Sequence, residues 1–283
     1  MYKVAVDDDK KAVLSAINII TTSHEMSWFL CGAYSRVLLC EDVLKIPAGR
    51  ATYDLDVAIC VKSLEKFKKF RNSLCSNDIF IQNSKMEHRF THHGSGTIVD
   101  VIPFGKFAEP EESYDWGVDN CFRMNVQGFS EAFLSSITFL VNSNLEIQVA
   151  GYTEQFVLKL FAWKDRRFTR GTDDASDLAF FLLHALKSIS EKALYDKYYS
   201  ALEEADYDIE LASCFVLGQQ IKSVFSRQTV FKIIEILNSN LQAREDSTLM
   251  SDMYSRFSSW PQPDERIFAV LNQVVKGLFA ENI

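Results

Sequence analysis

Two aspartates in one apolar strand constrain this chain more than any other feature. The segment RATYDLDVAI (50–59) reads as a strand carrying Asp54 and Asp56. Alternation puts both on one face, about 6.5–7 Å apart between Cα atoms, while Leu55 and Val57 point the other way into a core. Two carboxylates on one face repel each other and resist burial, so a cation belongs between them, and a divalent metal is the simplest one. Upstream, the apolar strand WFLC (28–31) ends at Gly32, and a helix is expected over about 33–44. Glycine at that turn lets a phosphate approach the backbone with no Cβ in the way. The helix after it offers free N–H groups and the positive end of its dipole. A lone glycine is weak evidence, and by itself an ordinary tight turn is the better reading. A third acid, Asp100, lies mid-strand in TIVDVIPF (97–104). Three carboxylates on neighbouring strands beside a glycine turn describe a site for Mg²⁺ and a nucleotide.

Around this centre the pattern alternates between strand and helix. Apolar positions 13, 14, 17 and 20 in DKKAVLSAINIIT (9–21) recur at helical spacing after an acidic start. KIPAGR (45–50) is a connector, and Arg50 and Thr52 stand just before the acidic strand, where they touch phosphate or pair with Asp54. SLEKFKKFRNSLC (63–75) is an amphipathic helix with Ser63 as N-cap and Leu64, Phe67, Phe70 and Leu74 inward. IFIQ (79–82) and HRFTHH (88–93) are short strands, and GSG (94–96) turns the second into the Asp100 strand. His88, His92 and His93 do not make a zinc site. No cysteine or acid stands at ligand spacing, and adjacent histidines on a strand face opposite ways. EPEESYDWG (109–117) reads as a polar loop, 128–137 as a short helix, and 138–151 as a hairpin turning at Asn142-Ser143-Asn144.

From Tyr152 onward the pattern is helical. Phe156, Val157, Leu160 and Phe161 form a buried stripe, with Thr153 as N-cap. Lys159, Arg166 and Arg170 share another face, at i, i+7 and i+11. A lysine within an apolar turn is costly to bury unless it meets an anion such as a nucleotide phosphate; the alternative is a lysine snorkelling to solvent or paired with Asp173 or Asp174. DDASDL (173–178) starts the next helix, its acids placed at a helix N-terminus. The region beyond about 190 is helical and carries no readable motif.

The composition sets outer limits. A chain of 283 residues, 47% hydrophobic with 22 Phe and 10 Tyr, is long enough for one large domain or two small ones around a substantial core. A net charge of −8 and a pI near 5.2 argue against broad nucleic-acid coating but allow a local basic groove. Six cysteines without CxxC spacing read as reduced residues of a cytoplasmic protein. Neither a signal peptide nor a membrane span is expected.

The ordered set GAYSR (32–36), RATYDLD (50–56), VDVIPFG (99–105) and KLFAWKDRR followed by DDASDL (159–178) resembles the nucleotidyltransferase superfamily. Within it, the chain is most similar to AbiEii-like nucleotidyltransferases, the toxin half of abortive-infection and toxin–antitoxin pairs. The resemblance covers roughly residues 15–190. Ala33 stands where the superfamily usually has serine, which leaves Ser35 as the candidate hydroxyl, and the interval from Gly32 to Asp54 is longer than usual. The resemblance implies an α/β (α+β) fold, with a mixed twisted sheet of about five strands flanked by helices in a catalytic domain (1–150). A helical C-terminal domain (151–283) would contribute basic residues to the active site. It implies Asp54, Asp56 and Asp100 as ligands of Mg²⁺, with Mn²⁺ as the substitute. Lys159 and Arg166 would bind phosphate, with Asp174 orienting them, and Gly32, Ala33, Ser35, Arg36, Arg50 and Thr52 would line the nucleotide.

The expected reaction is transfer of an NMP from an NTP, ATP among the candidates, to a hydroxyl. The implied acceptor is RNA, at a tRNA 3′ end, in a toxin–antitoxin or phage-defence role with a cognate antitoxin as partner. The alternatives are AMP transfer to a protein hydroxyl, phosphotransfer to a small molecule such as an aminoglycoside, and a non-catalytic member that binds nucleotide or a protein partner. The intact acid trio argues against the last.

Overall fold

The computed structural model describes residues 1–49, 52–108, 112–116 and 122–281. The chain divides into two compact units, Met1–Gly151 and Tyr152–Ile283.

The first unit opens with a two-residue strand, β1 (Tyr2–Lys3), and helix α1 (Asp8–Ser23). Asp7 caps α1, its carboxylate accepting from the Lys10 N–H at 2.9 Å. Strand β2 (Trp28–Cys31) falls where the sequence puts it and runs straight into α2 (Gly32–Val37). The expected single helix over 33–44 changes pitch. Leu38–Leu44 is a π-helix, closed by Lys45 in the left-handed region. Next come β3 (Asp54–Cys60), α3 (Leu64–Leu74), β4 (Phe80–Gln82), β5 (Arg89–His92) and β6 (Ile98–Phe104). Ser63 caps α3 as expected, accepting from the Lys66 N–H. Phe67, Phe70 and Leu74 point inward, but Leu64, in the first turn, is exposed.

The segment expected as a polar loop contains a strand, β7 (Ser113–Trp116), which pairs antiparallel with β8 (Phe122–Asn125). Tyr114 explains why, since its ring packs edge-on against Phe67 and Phe107, giving the ribbon an apolar anchor. Helix α4 (Phe129–Leu134) and the hairpin β9 (Ile137–Asn142) and β10 (Leu145–Val149) complete the unit.

The main sheet has eight strands in the order β1-β9-β10-β2-β3-β6-β5-β4, three more than the sequence suggests. The β3–β6, β10–β2 and β1–β9 pairs are parallel and the others antiparallel, so the sheet is mixed. Helices flank it. Phe129 and Phe133 of α4 pack edge-on or tilted against Phe29 and Phe104, while α1 and α3 meet through His24, which bonds Ser73 and packs edge-on against Phe70. None of the five cysteines among the described residues is joined in a disulfide.

The second unit is helical. Its first element, α5 (Tyr152–Leu183), is helical over 32 residues yet cannot be straight. The Tyr152 hydroxyl donates to the Phe181 carbonyl, 29 residues on, at 2.5 Å. A straight helix would hold those two residues about 43 Å apart. The segment therefore doubles back between Lys159 and Asp174, the stretch that holds Gly171, and its two halves run antiparallel. Thr153 lies inside the helix rather than at its cap and bonds Gln220. The expected stripe Phe156, Val157, Leu160 and Phe161 is buried.

Helices α6 (Ala185–Ile189), α7 (Glu191–Lys197), α8 (Tyr199–Glu204), α9 (Ile209–Val224), α10 (Arg227–Ala243), α11 (Thr248–Phe257) and α12 (Pro263–Phe279) follow. Helices α9 and α12 cross at two glycines. A Cβ at Gly218 would stand 2.1 Å from the Val274 carbonyl oxygen, and one at Gly277 would stand 2.0 Å from that of Phe215. At that crossing, backbone touches backbone. No helix among the described residues is long and apolar enough to cross a membrane.

Candidate active site

Strand β3 builds the centre of the site as its alternation demands. Leu55 and Val57 are fully buried on one face, while Asp54 and Asp56 are half-buried on the other. Its neighbours carry the rest. In the parallel β3–β6 register Asp56 pairs with Asp100, and in the antiparallel β2–β3 register it pairs with Cys31. On the far side of β6, Asp100 pairs with Arg89 of β5. One row of residues therefore crosses four strands on a single face, in the order Cys31, Asp56, Asp100, Arg89.

Gly32, the residue after that row's first member, closes the site. Its φ is +70°, and a Cβ built there would lie 1.9 Å from Asp56 Oδ2. The bare α-carbon is the space the Asp56 carboxylate uses. The turn is thus required by the carboxylate and not just by the bend of the chain. Thr52 supports the other acid, its hydroxyl donating to Asp54 Oδ1 at 2.6 Å.

Arg89 is the residue that the sequence reading passed over. Its Nε donates to Asp100 Oδ1 at 2.7 Å and its Nη2 to Oδ2 at 2.6 Å, the paired geometry of guanidinium on carboxylate. Nη2 also lies 3.7 Å from Asp54 Oδ2. The hydrogen bonds to Asp100, with the charges of all three acids adding, hold Arg89 above its ordinary pKa against partial burial. Counting back symmetrically from the GSG turn (94–96) sets residue 90 against residue 100, and the observed register, shifted by one residue, is what brings Arg89 opposite Asp100. Next to it, burial keeps the His88 imidazole below its usual pKa, against the pull of the Asp100 charge and with Arg89 adding to the depression.

The other sequence candidates divide. Ser35 and Arg36 are buried, and the Ser35 hydroxyl donates to the Gly32 carbonyl at 2.8 Å, so it braces the turn from within. Ala33 follows Gly32 in the first turn of α2. Arg50 lies outside the described residues. In the second unit, Lys159, Arg166 and Asp174 do come together. Lys159 Nζ is 3.2 Å from Asp174 Oδ1 and 2.7 Å from Asp177 Oδ2, while Arg166 Nη2 is 2.9 Å from Asp174. Both aspartate side chains are nearly fully buried, at 3% and 5% exposure, and the doubling back of α5 is what lets the two cations reach them.

Among the described residues no three His, Cys, Asp or Glu side chains converge closely enough to form a metal cluster. Asp54 and Asp56 still suit a hard divalent ion. They are oxygen donors on one strand face, partly open, and Mg²⁺ commonly takes one or two carboxylates with phosphate and water completing its shell. Asp100 differs, since both of its oxygens already face a guanidinium.

No protein-family model matches the sequence, and no curated protein matches it. Among solved structures, the chain is similar to the antibiotic-resistance factor ANT(2'')-Ia, with 11% identity, 71% of this chain and 99% of that one covered, and a TM-score of 0.35. It is also similar to the Thermotoga maritima CCA-adding enzyme complexed with tRNA, at 13% identity over 97% of this chain and 82% of that one, with a TM-score of 0.25. A CCA-adding enzyme in complex with ATP shows 12% identity over 96% and 66% of the two chains, with a TM-score of 0.24. At these identities and TM-scores the likeness carries no argument about the activity or substrate of this chain.

Proposed function

We propose that this chain is a divalent-metal-dependent nucleotidyltransferase that moves an NMP from an NTP to a hydroxyl acceptor. The observation that carries this reading is the placement of Asp54, Asp56 and Asp100 on one face of the adjoining strands β3 and β6, with the bare α-carbon of Gly32 against Asp56. Asp54 and Asp56 would hold Mg²⁺, which would draw charge from the triphosphate as pyrophosphate leaves. Thr52 fixes the rotamer of Asp54 through its hydrogen bond. Asp100, held by Arg89, would act as general base toward the incoming hydroxyl.

The AbiEii-like resemblance would make Lys159 and Arg166 the phosphate-binding cations; within the second unit they pair with Asp174 and Asp177. The acceptor we favour is RNA, with the tRNA 3′ end and a toxin or phage-defence role as the specific form implied by the AbiEii-like resemblance. In support, Arg167 lies 4.7 Å over the ring of Phe168, which is 86% exposed. A cation beside a bare aromatic ring suits a single-stranded base and its phosphate.

The test is purified protein with Mg²⁺, each α-labelled NTP in turn, and total RNA or lysate. Label should enter a ribonuclease-sensitive product, and Asp54→Asn or Asp56→Asn should abolish it while leaving the fold intact, since each change removes charge but keeps shape. Near wild-type turnover by Asp54→Asn would end the metal-site reading. Label that survives ribonuclease and vanishes with protease would move the acceptor from RNA to protein.

A further inference from the structure

Arg89 lies outside every motif that points to nucleotidyl transfer, yet its guanidinium bonds Asp100 at 2.6 Å and stands 3.7 Å from Asp54. Neighbouring strands in register fix its Cα beside that of Asp100. The side chain is 21% exposed, so it is not a loose surface arm. Its two donors take both oxygens of Asp100, which is the edge a divalent ion would use to chelate that carboxylate. The same guanidinium reaches toward Asp54 at 3.7 Å, which puts permanent positive charge between the third acid and the first. Arginine does not lose its proton in a protein, so this charge cannot be titrated away to make room. An ion seated on Asp100 would have to displace Arg89 or bear its repulsion at close range.

We propose that Arg89 stands in for a second divalent cation, so that the site holds one ion, on Asp54 and Asp56, while Asp100 is a carboxylate positioned by arginine and not a metal ligand. The proposal rests on the nucleotidyl-transfer reading above and deepens it. Arg89 acts through Asp100 and is a positioning residue. Its guanidinium supplies charge at a fixed place without any metal-binding equilibrium of its own.

The experiment counts Mn²⁺ bound to the intact chain, by loss of the free-ion paramagnetic resonance signal, alone and with non-hydrolysable analogues of each of the four NTPs. One Mn²⁺ per wild-type chain is expected. Asp54→Asn and Asp56→Asn should weaken it by about tenfold or more, at least what loss of an outer-shell partner costs, and Asp100→Asn should leave its affinity little changed. Arg89→Met, which keeps the stem and removes the charge, should gain a second Mn²⁺, and the Arg89→Met/Asp100→Asn pair should return to one. Two Mn²⁺ per wild-type chain, or a loss of about tenfold in Asp100→Asn, overturns the proposal and leaves the metal-site reading standing. A wild-type chain that binds no Mn²⁺ under any of these conditions overturns both. Should Arg89→Met not fold, the wild-type count and Asp100→Asn decide the matter between them.

Discussion

Replacing Gly32 by alanine probes the turn and the metal face in one step, and two separate costs can be worked out. The residue has φ +70°, where a side chain costs about 1–2 kcal/mol. The added Cβ would also stand 1.9 Å from Asp56 Oδ2, 2.5 Å from its Cγ and 2.8 Å from its Cβ, so the carboxylate must move by more than an ångström. Overpacking of that kind costs about 1–3 kcal/mol more. The total is about 2–5 kcal/mol, carried by the β2–β3 junction. Gly96→Ala is the control, because Gly96 has the same φ of +70° with nothing within 4 Å of a built Cβ, so it carries the first cost alone. Amide hydrogen exchange at Leu30, Cys31 and Val57 reads the local stability without assuming that the two units unfold together. Protection there should fall by about 30-fold to about 4,000-fold in Gly32→Ala, and Mn²⁺ affinity should fall with it because Asp56 has been displaced. If Gly32→Ala protects those amides as well as wild type and binds Mn²⁺ normally, the argument that Asp56 occupies the glycine's missing side chain is wrong.

Lys159→Ala should destabilise the second unit by about 3 kcal/mol in chemical denaturation, since it leaves Asp177 buried without that lysine, while Arg166 keeps Asp174 paired. Lys164→Ala, at an exposed position of the same segment, should change stability little, and equal effects would remove the buried clamp from the explanation. If RNA is the acceptor, transfer should fall steeply with salt, and Arg167→Glu should raise the acceptor KM while NTP affinity holds; a flat salt response would argue for a protein hydroxyl. Asp208 supplies a pH test. Burial raises its pKa but is outweighed by hydrogen bonds from Arg266 and from the Leu211 and Glu210 N–H groups, so the folded value lies below the ordinary 3.8. The stability it contributes is therefore present above the unfolded pKa and is lost as pH falls through the folded one. Unfolding of the second unit followed between about pH 5 and pH 2 should show that loss, and Asp208→Asn should flatten it.

The centre of the site was legible because short-range geometry settles it. Alternation alone puts Asp54 and Asp56 on one face, and Trp28–Cys31 was bounded by its apolar run and Gly32. What escaped depended on pairing between segments. Arg89 looked like one more residue in a histidine-rich strand, and its meaning came from the register that sets it against Asp100. The SYDW strand was hidden in an acidic loop because its anchor, Tyr114 on Phe67, lies nearly fifty residues away in sequence. Ser35 and Arg36 had the right neighbours for phosphate contact, but a six-residue helix turned them inward. The acids of DDASDL were expected to begin a new helix and to pair with Lys159; the pairing is present, but the acids lie within α5, whose doubling back brings Asp174 and Asp177 onto Lys159.

The glycine crossing of α9 and α12 also bears on how the chain is made. Gly218 leaves the ribosome well before Gly277, and at about 5–20 residues per second the wait is roughly 3–12 s. During that interval α9 can bury Ala212 and Val216 against Leu194 and Leu202, which are already made. The face around Gly218 has no such earlier partner at the crossing, because the surface it fits is the backbone of a helix still to be translated. A nascent chain paused in this window would present an apolar groove shaped for a helix, and so be a natural client for holding chaperones. Synonymous slowing of translation between residues 224 and 263 should then lower the yield of folded protein without altering a single side chain.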